Sequence, residues 1–233
     1  METIKIVYYF IFPDGIEKSY VIEFDKNTLI YLRPKQEHIP DWAKLKHHQC
    51  LHCPLKLETS PYCPVAENLS HLVEFFKDMK SFSEVTVRVI TEERDYIKKV
   101  LLQNGVFSAF GLIMSLSECP YTDFLKPMAR FHLPFSSAQE TIVRSVSFYL
   151  LSQYFVAKNG TNPDLTLTQL EKHYEQLKKV NLGIINRIHS VAKKDTDVNA
   201  VIILHSFADL LTLAISNDLS SLQSLFTLAK KEE

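Results

Sequence analysis

The hydrophobic pattern changes period along the chain. Ile4–Phe12 is dense in β-branched and aromatic residues and reads as a strand; Pro13-Asp14-Gly15 behind it is turn chemistry. Ser19–Phe24 and Leu29–Leu32 follow, divided by the polar turn Asp25-Lys26-Asn27, so this stretch predicts three short strands in an antiparallel meander. Val85–Ile90 alternates apolar and polar and is a further strand. Tyr96–Leu102 is read as a fifth, hairpinned through Thr91–Asp95, in preference to the start of a helix.

Between and after these the spacing is helical. Val65, Leu69, Leu72, Val73, Phe76 and Met79 predict an amphipathic helix over 64–80, with Pro64 at its first position and Cys63 as N-cap. Residues 103–117 predict a buried helix and 120–135 a short one between prolines. Residues 136–158 are apolar around most of the circumference and predict a central helix. Leu170, Tyr174, Leu177, Ile184, Ile188 and Val191 form a stripe opened by Thr168-x-x-Glu171, a capping-box pattern. Helices over 195–216 and 218–231 complete the prediction. Strands first and helices later define an α+β class. The expected architecture is an N-terminal antiparallel sheet of about five strands with a cysteine-rich loop, followed by a C-terminal helical bundle. One domain over 1–233 is expected, mainly β to residue 102 and mainly helical from 103.

Composition narrows the function classes. The 233 residues are 46% hydrophobic, enough for a sizeable core. With 26 Lys plus Arg against 27 Asp plus Glu, the net charge is −1, and no basic stripe suggests nucleic acid. No uninterrupted apolar run reaches the ~18 residues of a membrane-spanning helix. The N-terminal METIKIVYYF has no cleavage-site pattern and reads as a strand, so the expected location is cytoplasmic, away from membranes. Neither a glycine-rich phosphate loop nor a nucleophile elbow is present.

The stretch 34–63 breaks every period. It holds Pro34, Pro40, Pro54 and Pro61, three of the four cysteines and four histidines, and a loop of this length needs something to order it. The spacing is Cys50-x2-Cys53-x9-Cys63-x55-Cys119. A C-x2-C pair can hold two corners of a tetrahedron on one turn. Cys63 at a helix N-terminus is expected to have a lowered thiol pKa, and Cys119 can close the set. In a reducing compartment clustered thiols hold metal more often than they form disulfides. The first expectation is therefore a structural Zn2+ on Cys50, Cys53, Cys63 and Cys119. The alternative is an iron–sulfur cluster of the [4Fe-4S] kind, since Cys53, Cys63 and Cys119 each precede proline, as a cysteine does in ferredoxin-type runs. His47, His48 or His52 could replace Cys119, and four unrelated buried thiols is the plainest reading of all.

Other candidates are weaker. Arg130 and His132, with Asp123, suit an anion clamp and a general base, but no nucleophile accompanies them, so a helix cap, an ion pair and a hydrogen-bonded histidine are expected instead. Glu140 and Arg144 read as a surface pair, His205 as a core histidine, and Trp42 as an anchor of the loop. A protein partner docked along the 170–191 stripe is the remaining alternative.

HHQCLHCPLKLETSPYCPVAENL (47–69) and CPYTDFLKPMARFHLPF (119–135) together resemble a family of uncharacterised bacterial proteins of this length, a domain of unknown function. The resemblance runs from the YYFIFPDG hairpin to VNAVIILHSFADLL. In that family the C-x2-C-P, the C-P-V-A and the C-P before ARFHLPF recur, which implies that Cys50, Cys53, Cys63 and Cys119 act as one set. It implies no activity. The expected function is that of a metal-binding module, with a redox or catalytic site near Cys119–His132 as the alternative.

Overall fold

A computed structural model describes residues 2–191 and 196–226. Strands β1 (Thr3–Ile11) and β2 (Glu17–Asp25) form a hairpin. Strands β3 (Glu84–Ile90) and β4 (Asp95–Leu101) form a second, and β3 pairs antiparallel with β1. The order is β2-β1-β3-β4, so the sheet is antiparallel but not a simple meander. Alternation places Ile4, Ile6, Tyr8 and Phe10 of β1 on one buried face, beside Tyr20, Ile22 and Phe24 of β2 and Val85, Val87 and Val89 of β3.

The strand expected at Leu29–Leu32 does not form. Leu29 takes a left-handed backbone (φ 55°), and only one bridge, Phe24 to Tyr31, extends the sheet there. The next two amides are drawn apart, Tyr31 N–H to the Leu116 carbonyl and Leu32 N–H to that of Glu23. The sheet therefore has four strands rather than five.

Helices α1 (Pro64–Phe76) and α2 (Leu102–Ser115) pack against each other, and their apolar side chains share one core with the buried sheet face. Pro64 opens α1 with Cys63 as N-cap, as the sequence predicts. At Gly105 the approach of α2 to the sheet is close: a Cβ there would lie 2.8 Å from Val87 Cγ2 and 3.1 Å from Phe10 Cε1. The stretch between prolines becomes a 3₁₀ turn, Asp123–Leu125, and the short helix α3 (Lys126–Arg130).

Helices α4 (Ala138–Lys158), α5 (Thr168–His189) and α6 (Thr196–Ser216) complete the helical layer. α5 and α6 pack on each other, and α6 also packs on α2. Val180, Ile184 and Ile188 of α5 join the sheet core, while Leu170, Tyr174 and Leu177 share a second cluster with Val146 of α4 and Leu211 of α6. The helices thus continue the sheet's core instead of forming a separate bundle. The stripe proposed for a partner is consumed by this packing, apart from the exposed Val191.

Two further expectations are corrected. α4 is peripheral: Leu151, Tyr154 and Phe155 are exposed, because only one side of it meets α3 and α6. Its start carries a capping box that the pattern had not flagged, Ser137 with Glu140. At α5 the Thr168–Glu171 capping box does not form; Leu167 is the N-cap residue, and Asp164 accepts from Gln169 N–H at 2.7 Å in its place. The last helix is described only as a 3₁₀ turn (Ser220–Leu222) and α7 (Gln223–Phe226), and residues 227–231 of the predicted element lie outside the described residues. Within α6, Asn199–Ser216 is long and apolar enough by length and composition to cross a membrane; a window average passes where an uninterrupted run does not.

Candidate metal centre

The loop 34–63 is irregular but pinned. Asp41–Ala43 forms a 3₁₀ turn, Lys44 bridges to Tyr62, and the Cys63 N–H donates to the Ala43 carbonyl at 2.8 Å. Trp42 is buried, as expected of an anchor. Cys50 and Cys53 sit on one turn closed by Cys53 N–H to the Cys50 carbonyl at 2.9 Å. Cys63 enters α1 as its N-cap, where the N–H groups of Val65 and Ala66 act on its sulfur without closing a cap hydrogen bond. Cys119 follows α2, where the Tyr121 N–H acts on its sulfur.

All four are free thiols, and they act on one another. Burial pushes the Cys119 thiol up to about 12, and the nearby Cys63, Cys53 and Cys50 add to the rise against the Tyr121 N–H. Burial likewise raises Cys50 to about 11, with Cys63 and Cys53 contributing. Cys63 also goes up. The helix N-terminus does supply N–H donors, but burial outweighs them, so the lowered pKa expected for this residue is not found. The thiols of three remote chain segments are therefore near enough for their charges to act on one another. Among the described residues, no group of three or more His, Cys, Asp or Glu side chains is already arranged to hold a metal ion.

Two residues of α5 complete the cluster. Gly183 lies under Cys50, where a Cβ would stand 2.6 Å from the sulfur. Arg187 is 1% exposed, and its guanidinium donates to the carbonyls of Trp42 (2.8 Å), Lys44 (2.7 Å) and Leu45 (2.8 Å). Burial lowers its pKa, and the proximity of Cys63, Cys50 and Cys53 works the other way. No carboxylate among the described residues forms an ion pair with it, so its neighbours are carbonyl dipoles and thiols.

Of the loop histidines, His47 shares a hydrogen bond with Ser190 at 2.8 Å and the His48 ring packs edge-on to it. The His52 ring lies on Tyr121, and both its nitrogens are buried without a hydrogen-bond partner among the described residues. The Tyr121 hydroxyl donates to the His52 carbonyl at 2.8 Å, tying the Cys50–Cys53 turn to the segment behind Cys119.

His132 and Arg130 separate from the thiols. His132 Nε2 is 2.5 Å from the Tyr8 hydroxyl, which is 3.0 Å from Ser108 Oγ. Burial, aided by Arg144, lowers its pKa to about 3, far too weak a base for general catalysis near neutral pH. Arg130 lies over Phe131, and Asp123 pairs with Lys126. Arg144 is not the surface partner of Glu140: its Nη2 donates to the carbonyls of Phe131 (2.5 Å) and Met128 (3.3 Å). His205 lies 3.6 Å from Asp209 on α6.

The residues missed by sequence reasoning are Gly183, Arg187 and Asn181, and Arg144 was given the wrong partner. A glycine inside a helix costs roughly 1 kcal/mol relative to alanine, so Gly183 within VNLGIIN carried a usable signal of close approach. Arg187 follows four residues later and carried none.

The chain belongs to the family described as Domain of unknown function (DUF6901), which matches residues 6–227. No curated protein and no solved structure matches it.

Proposed function

We propose that this family member carries a structural zinc site made by Cys50, Cys53, Cys63 and Cys119, and that it serves as a binding or scaffold module in a reducing compartment. The observation that supports the reading is that four thiols from three chain segments act on one another, three of them beside a buried arginine. Four soft sulfur donors suit zinc, which a structural site closes with no open position. Four thiolates and one Zn2+ leave a net charge of −2, an expensive burden in a buried place. Arg187 offsets one unit, and the N–H groups of Val65, Ala66 and Tyr121 near the sulfurs favour their charged form. The raised thiol pKa values mean that a metal must displace protons, as thiol sites do on binding. Cys50 and Cys53 are only half-buried, so a metal can reach them from solvent.

Bound zinc supplies cross-linking and no reaction step. The chain's own residues then hold the 34–63 loop against α1, α5 and the segment behind α2, presenting its exposed tip, including Leu51, as a fixed surface. The test is cobalt substitution. Four-thiolate coordination gives intense visible bands that Cys63→Ser and Cys119→Ser each change, together with a lowered melting temperature. A featureless spectrum, with unfolding unaffected by metal or chelator, would overturn the proposal. A brown protein containing iron and sulfide would replace zinc by a cluster.

A further inference from the structure

On the other side of α5 from Gly183, a cavity of about 120 Å³ lies between α2, α4, α5, α6 and the segment after α3. Its walls are apolar, with Leu112, Met114 and Leu204 beside Phe107 and Phe207, whose ring centroids are 5.1 Å apart. Several serines, Thr141, Tyr174 and His132 also line it, and two further polar groups stand out. Asn181 is 1% exposed, and its Oδ1 has no hydrogen-bond donor facing it among the described residues. A buried unpaired carbonyl of this kind costs about 1–3 kcal/mol, so its presence needs a reason. The second group is Arg144, which lines the same cavity. Its hydrogen bonds among the described residues run through Nη2 to two backbone carbonyls, and no carboxylate forms an ion pair with it.

Arg144 and His132 also line an adjoining, more polar hollow of about 380 Å³ under the β3–β4 turn. There Arg94 and Arg130 face Glu92 and Glu93, so the charges of that hollow largely cancel. The uncompensated cation is the one at the boundary. The arrangement is amphipathic: a polar approach, a cation at the neck, and an apolar chamber with one unmet acceptor. A dry cavity of ~150 Å³ is known to accept benzene, so this chamber is the size of one aromatic ring.

We propose that the cavity binds a small aromatic monocarboxylic acid, its carboxylate on Arg144, its ring against the paired Phe107 and Phe207 rings, and a ring hydroxyl donating to Asn181 Oδ1. Charge selects the acid, because a half-buried guanidinium favours a carboxylate through charge-assisted hydrogen bonds. The unpaired Asn181 oxygen selects a ligand bearing a donor, because binding such a ligand removes a penalty already present in the free protein. The site is independent of the thiol cluster and stands whether or not zinc is bound there.

Isothermal titration of the full chain with phenylacetate, 4-hydroxyphenylacetate and phenylacetamide tests this. One phenylacetate per chain is expected, with the neutral amide weaker by about tenfold or more. The hydroxylated acid is expected to be the tightest of the three. Arg144→Gln should abolish the preference for acid over amide. Since Arg144 also supports the carbonyls of Met128 and Phe131, Asn181→Leu is the second variant: it should leave phenylacetate binding in place and erase the gain from the hydroxyl. Equal affinity for acid and amide, no binding of either acid at millimolar concentration, or a hydroxyl preference that survives in Asn181→Leu would overturn the proposal.

Discussion

Replacing Arg187 with methionine keeps the length and helix propensity of the side chain while deleting its charge and its donors. Three backbone carbonyls, those of Trp42, Lys44 and Leu45, would lose their partner. Two of these bonds are buried and the one to Lys44 is partly so, which lets water reach at most one acceptor cheaply. Orphaned buried acceptors cost about 1–3 kcal/mol each, so the expected loss is about 3–6 kcal/mol, a large part of a typical domain's stability. Urea unfolding followed by the fluorescence of Trp42, the single tryptophan, measures it directly. Hydrogen exchange should show the amides of 41–48 losing protection first. Arg187→Lys should recover part of the loss, because an ammonium cannot span three carbonyls as a guanidinium fork does. A loss below about 1 kcal/mol in Arg187→Met, with loop protection intact, would refute the claim that this residue orders the loop.

Gly183→Ala would gain about 1 kcal/mol from helix propensity in open space, but contact with the Cys50 sulfur at 2.6 Å predicts the opposite sign, read as a lower melting temperature and weaker zinc retention against a chelator. His132 has a folded pKa of about 3 against ~6.5 when unfolded, so below ~6.5 the unfolded chain binds the extra proton. Stability is full above that pH and falls as pH drops toward 3; between pH 7 and pH 5 the fall is about 1–2 kcal/mol, which His132→Gln should flatten in paired urea titrations. Ser137→Ala breaks the capping box of α4 and should cost about 1 kcal/mol by thermal melting, with no change in metal content.

Local pattern carried much of the fold. β-Branched and aromatic density with turn chemistry located β1 and β2, alternation located β3, and a hairpin reading located β4; helical spacing located α1, α2, α5 and α6 to within a few residues. What failed were statements about neighbours. Leu29–Leu32 has strand composition, yet its amides go to Leu116 and Glu23, which only tertiary pairing decides. Residues 136–158 are apolar nearly all round, yet α4 lies at the edge, because periodicity reports a helix and not what stands opposite it. Thr168-x-x-Glu171 fits a capping box, but Asp164 reaches the helix start first.

The site divides in the same way. Cysteine spacing marked Cys50, Cys53 and Cys63 as one group, and the family resemblance joined Cys119 to them across 55 intervening residues. Arg187 was illegible, since an arginine in an amphipathic helix ordinarily faces water and only the folded loop supplies its three acceptors. Arg144 was misread for that reason too: its spacing from Glu140 fits a surface pair, whereas its partners are carbonyls of the preceding segment. The cavity beside Asn181 had no sequence signature, because five separate segments build it.

The central claim is that the four thiols close on one zinc ion. Elemental analysis of the full chain, purified anaerobically without a histidine tag, tests it most directly. The account predicts about one zinc per chain, no iron, and four thiols that react only after metal release. Protein free of metal, with all four thiols reactive once unfolded and an unchanged melting temperature on adding zinc, would contradict it.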